Sequence, residues 1–178
     1  MKIFTMAMLF AVLLVACSKE EAVFDQPQDF ITVPPGGVTN GNSGTTETTI
    51  YEDVLVAGQN ILSGIVTVVV NEDGVLEVTY TTDADWVIDE THLFIGDIND
   101  LPTNGAGNPK IGQYPYSDTH NGTVTVTYTG PELLEGDCVY ISAHAVVTNT
   151  ITGESETAWA NGEPIGGNSW AMGFEVCF

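Results

Sequence analysis

Residues 123–130, TVTVTYTG, alternate without a break: Val124, Val126 and Tyr128 fall on one side, Thr123, Thr125, Thr127 and Thr129 on the other. A period of two marks a half-buried antiparallel strand, because successive side chains of extended backbone point to opposite faces. The pattern recurs. GIVTVVV and VLEVTYTT flank NEDG, residues 71–74, and predict a hairpin in which Gly74 supplies a positive φ. Further strands are expected near 50–57, 86–95, 138–147, 154–160 and 169–177, and residues 50–178 carry no helical period. About eight short strands with polar turns, and no helices to cover a parallel sheet, predict an all-β domain over 50–178, a single antiparallel β-sandwich. One connection, residues 96–122, is rich in Gly, Asn, Asp and Pro and too long for a plain turn. Loops beyond about 15 residues are usually functional or disordered, and Ile111, Tyr114 and Tyr116 predict one that packs down on the body.

Ahead of this domain, MKIFTMAMLFAVLLVAC holds one cation, Lys2, and an apolar run from Ile3 to Ala16. That run falls short of the roughly 20 residues a spanning helix needs, so residues 1–16 read as a signal peptide. Leu14, Val15 and Ala16 before Cys17 resemble the lipobox of bacterial lipoproteins, which implies that Cys17 is acylated and becomes the first residue of the mature chain. Ser18–Glu21, SKEE, is similar to the export tetrapeptides of Bacteroidota lipoproteins and implies the outer face of the outer membrane; the alternative is ordinary solvated charge beside a tether. Several acyl chains would make such an anchor effectively permanent. Residues 17–49 are poor in large apolar side chains and end in PPGGVTNGNSGTTETT, a flexible linker with a reach of about 30 Å. The short run FITVPP within it has no assignment.

The chain has a formal charge of −21 and no arginine, and removal of residues 1–16 leaves Lys19 and Lys110 against all 24 acids. Such a field repels phosphate backbones, which excludes nucleic acid as a partner and leaves the lipid anchor as the membrane contact.

With Cys17 assigned to lipid, Cys138 and Cys177 remain, in a compartment where disulfides persist. In CVYISAHAV the apolar face is Val139, Ile141, Ala143 and Ala145, with Cys138, Tyr140, Ser142 and His144 opposite. In WAMGFEVCF it is Trp170, Met172, Phe174, Val176 and Phe178, with Cys177 opposite. Both cysteines fall on the less apolar face, as a bridge outside the core requires; the alternative is a pair of buried free thiols.

No G-x-S-x-G elbow, H-E-x-x-H motif or phosphate-binding loop occurs. A metal site would need at least three of Glu90, His92, His120 and His144 to converge, and Ser142 with His144 has no evident third partner. GDIND places Asp97, Asn99 and Asp100 together, a candidate calcium turn that starts with EF-hand spacing and loses it at Leu101. Otherwise no cofactor is expected. Tyr114 and Tyr116, with Asn108 and His120 in the same segment, are candidate ligand contacts: a sugar ring stacks on an aromatic face while polar neighbours bond its hydroxyls. Trp86 and Trp170 sit among apolar neighbours and are expected in the core.

The blocks WVIDETHLFIGD, LPTNGAGNPKIGQYPYS, ISAHAVV and ETAWANGEPIGGNSWAMGFEV resemble recurring blocks of a family of secreted β-sandwich domains in Bacteroidota lipoproteins and cell-surface proteins. The resemblance covers most of 86–178; it implies an extracellular domain and carries no activity. The expectation is a surface lipoprotein without catalytic activity that binds a glycan or another surface protein. The alternatives are a hydrolase with a site near Glu90, His92 and His144, and a structural assembly subunit with an unpaired edge strand.

Overall fold

A computed structural model describes residues 47–178, all in the larger of the chain's two compact units. The signal peptide, Cys17 and linker residues up to 46 lie outside the described residues. The described chain is built of ten strands: β1 Thr48–Ala57, β2 Ile61–Val70, β3 Val75–Thr82, β4 Trp86–Gly96, β5 Tyr116–Thr123, β6 Thr125–Glu132, β7 Cys138–Asn149, β8 Ser155–Ala160, β9 Glu163–Pro164 and β10 Met172–Cys177. Two single 3-10 turns, Ile98–Asp100 and Ile111–Gln113, interrupt the stretch between β4 and β5.

Every pairing is antiparallel, in the order β5-β4-β7-β8-β1-β2-β3-β6, with β10 attached to β7 and β9 to β10. The two ends of this path are consecutive in the chain. Only Val124 separates β5, paired to β4, from β6, paired to β3, and the Thr82 amide donates to the Val124 carbonyl at that corner. The sheet therefore rolls into a nearly closed barrel rather than ending in two free layers, and the division into two separate sheets expected of a sandwich is not seen in the pairing.

The interior follows from alternation. Val66, Val68 and Val70 of β2, Leu76, Val78 and Tyr80 of β3, and Ile141, Ala143, Ala145 and Val147 of β7 all point inward and are buried. Most outward positions of β3 and β6 are threonines, with Glu77 among them, and Thr79 and Thr127 bond each other at 2.9 Å across the strands. The 71–74 hairpin forms as its sequence implies. Gly74 sits at φ +78, a conformation that β-carbons disfavour, and the Asn71 carboxamide accepts from the amides of Asp73 and Val75.

Register sets Cys138 directly opposite Cys177 at the β7–β10 pair, and the two are disulfide-bonded on the exposed side. Trp86 is in the core as expected, whereas Trp170 precedes β10 and is half-buried in a separate cluster. The largest departure is β5. The sequence reads as loop across 96–122, yet Tyr116–Thr123 is a full strand on β4. Its residues YSDTHNGT are polar because it is an edge strand: backbone bonding to β4 holds it and only alternate side chains face inward.

Candidate functional site

The elements of the barrel bring chemistry-bearing side chains together in two places. The first is the outer face of β4, β7 and β8. Pairing aligns Ser117, His92, His144 and Trp159 in one row across β5, β4, β7 and β8, with Phe94 opposite Ser142 in the adjacent row. An outer face would ordinarily meet water, but this one is roofed. Leu101, Tyr114 and Ala171 bury themselves against Phe94 and Trp159, with Ile111, Ile165, Trp170 and Met172 around them. The stretch after Gly96 thus packs down on the body, as its apolar residues imply.

Beneath this roof His144 is 2% exposed and His92 7%. Their Nδ1 atoms are 3.4 Å apart, and His92 Nε2 lies 3.3 Å from Glu90 Oε1. Trp159 stands edge-on to His144 with ring centroids 4.7 Å apart. Burial, and then the neighbouring His92, push His144 down to about 3, so it is neutral near pH 7. Ser142, fully buried, donates to the Met172 carbonyl at 3.2 Å; its single proton being used there, it accepts from the Tyr114 hydroxyl at 2.9 Å. Burial raises Tyr114 to about 12. Glu90, His92 and His144 are therefore in contact as one chain of groups, while the Ser142 hydroxyl is committed elsewhere.

The second place is the seam where β5 and β6 diverge from Val124. Tyr116, opposite Leu93, and Asp118, opposite Thr91, lie on the inward side of β5, with His120 next by alternation. Val126 and Tyr128 lie inward on β6. Thr91 of β4 is fully buried, and its hydroxyl bonds His120 Nε2 at 2.8 Å and the Tyr128 hydroxyl at 2.6 Å. Tyr116 and Tyr128 meet edge to face at 5.9 Å, and Tyr80 closes the floor at 6.4 Å from Tyr128, its hydroxyl donating to the His92 carbonyl. Burial raises Tyr128 above its ordinary value; the Thr91 bond opposes that shift and the Asp118 carboxylate adds to it. Tyr116, Tyr128 and His120 are half-buried and Asp118 is exposed, so aromatic edges, an imidazole and a carboxylate share one surface strip.

Of the four residues expected to contact a ligand, Tyr116 and His120 are thus brought together. Tyr114 is spent on the roof. Asn108 is spent on the next loop, its Oδ1 accepting from the amides of Asn168 at 2.6 Å and Ser169 at 3.1 Å. In the turn expected to take calcium, Asp97, Asn99 and Asp100 are all exposed, and Asp97 Oδ1 accepts from both the amide and the side chain of Asn99. Asp97 caps the Ile98–Asp100 turn; the group of three or more His, Cys, Asp or Glu side chains close enough to share a metal that is found among the described residues is Cys138, Glu175 and Cys177, and its two cysteines are bonded to each other.

Sequence reasoning missed Thr91, Tyr80 and Tyr128 as members of the seam. The period-two run Tyr116, Asp118, His120 is the signal that points to them, once that segment is read as a strand. Comparison with protein-family models, curated proteins and solved structures found no match to this chain.

Proposed function

We propose that residues 47–178 are a non-catalytic binding domain that takes glycans at the β5–β6 seam, displayed on the outer face of the outer membrane by lipid on Cys17. The observation that carries this reading is the strip of Tyr116, Tyr128, His120 and Asp118, half-buried to exposed and braced from below by Thr91. Aromatic surface beside fixed hydrogen-bonding groups suits the apolar face and the hydroxyls of a sugar ring. The lipid anchor rests on LVAC and SKEE, the glycan on the seam, and the two are separable. The layering that goes with this reading is a flattened barrel in the sandwich sense. On this reading β1, β2, β3 and β6 would make one layer and β5, β4, β7, β8 and β10 the other, with the sheet continuous between them at Val124 and through the short Leu55–Ala57 pairing with β8.

The hydrolase alternative has the Glu90–His92 contact in its favour. Against it, His144 and Ser142 are sealed from substrate, and the Ser142 hydroxyl is held by Tyr114 and Met172. Assembly through an edge strand is disfavoured by Asp118, an inward-facing charge on edge strand β5, and by Pro131 near the end of β6. A glycan array probed with the protein, with calcium and with chelator, tests the proposal. Recognition of a restricted set of glycans in both conditions is expected; silence in both rejects it.

A further inference from the structure

We propose that the His92–His144 pair is an acid-sensitive clasp: a second proton on the pair releases the roof formed by residues 97–115 and 161–171 while the barrel stays folded. The roof and the barrel interior are separate apolar clusters. Leu101, Tyr114, Ala171, Phe94 and Trp159 make up the first, and the inward residues of β1–β4, β7, β8 and β10 make up most of the second. A cluster that does not share the main core can open on its own. Segment 97–115 is tied to the sheet through the Tyr114–Ser142 bond; segment 161–171 is anchored at its start, where Asn161 bonds Val54, Asp53 and Tyr51 and β9 pairs with β10, and beyond β9 the two segments are held together by Asn108 accepting from Asn168 and Ser169.

The geometry of the pair sets how many protons it can hold. One proton between the rings makes a single hydrogen bond over the 3.4 Å between the Nδ1 atoms. A charged His92 also has a place, donating from Nδ1 to His144 and from Nε2 to Glu90, 3.3 Å away. A proton on both rings sets two N–H groups head-on between histidines only 2% and 7% exposed, and opening relieves it. The remaining faces offer no second counter-charge. β8 presents Trp159 and β5 presents Ser117, while Asp118 and Glu156 alternate to the opposite side of the sheet. β7 adds neutral Ser142 and Tyr140, raised by burial, and the roof adds Tyr114. Asp97, Asp100, Lys110 and Glu163 of the covering segments are exposed.

Amide exchange read by mass spectrometry on the full chain, corrected for intrinsic rates, tests this from pH 7 to pH 4. Each proton taken up on opening shifts the closed-to-open ratio by up to about tenfold per pH unit. Peptides from 97–115 and 161–171 should therefore lose protection tenfold or more, while peptides from 61–82 in β2 and β3 keep theirs. His144→Gln retains hydrogen bonding but cannot be charged, and His144→Phe fills the space; either should abolish the acid response of the roof. Loss of protection that is equal in wild type and variants, simultaneous loss at 61–82, or no loss down to pH 4 would overturn the clasp. If neither variant folds, the wild-type contrast between the roof and 61–82 decides alone.

Discussion

Thr91 shows how one residue can organise a surface it does not reach. Fully buried, it spends its hydroxyl on His120 and Tyr128 and so fixes the orientation of both at the seam. Thr91→Val keeps the shape and removes the hydroxyl, leaving two polar groups without their partner. We expect a loss of about 1–3 kcal/mol in urea unfolding, with most of it recovered in Thr91→Ser. A Val variant as stable as wild type would mean that water replaces the hydroxyl and that the seam is wetter than its packing implies. Ser142 plays the corresponding part under the roof. Tyr114→Phe removes one bond but leaves Ser142 its Met172 acceptor. It should cost about 1 kcal/mol, and Ser142→Ala, which strands a buried tyrosine hydroxyl, should cost more. The reverse order in denaturation midpoints would contradict this bonding scheme.

At the scale of elements, the strands that bury an apolar face were legible because alternation is written into them. GIVTVVV, VLEVTYTT and CVYISAHAV are β2, β3 and β7, and the face assignment of CVYISAHAV placed Cys138 correctly for its bridge to Cys177. β5 was not legible. An edge strand with one buried face needs few apolar residues, and Tyr116, Asp118 and His120 do not read as a core-facing row until β4 is placed beside them. The roof was half legible. Ile111 and Tyr114 signalled packing, but nothing local says that the face they cover carries two histidines, because that depends on strand order. The disulfide gives this scale its prediction. It links positions 39 apart, so on the chain-entropy model reduction should cost about 4 kcal/mol and lower the midpoint of chemical unfolding accordingly. An unchanged midpoint after complete reduction would show that β7–β10 pairing holds the end of the chain without it.

For the whole molecule, acid pH works against the folded state through His144. The folded-state value of His144, about 3, lies below the roughly 6.5 it regains on unfolding. Its contribution to stability is therefore complete above pH 6.5 and declines as pH falls towards 3, by up to about 1.4 kcal/mol per unit for one proton. Urea midpoints at pH 7 and pH 5 should differ in that direction, and His144→Phe should shrink the difference; equal slopes in both proteins would remove His144 from the account. The formal charge of −21 acts on the same molecule through longer distances, and its self-repulsion is screened by salt. What the molecule does rests on where it meets a ligand. The most direct test is calorimetric titration of an array-selected glycan into the wild-type domain and into Tyr116→Ala and His120→Ala, with Tyr114→Phe as the roof control. Loss of affinity of tenfold or more in the two seam variants, with the roof variant unchanged, is what we predict. Binding that survives both seam substitutions, or that is lost only with Tyr114, would contradict the placement of the site at the β5–β6 seam.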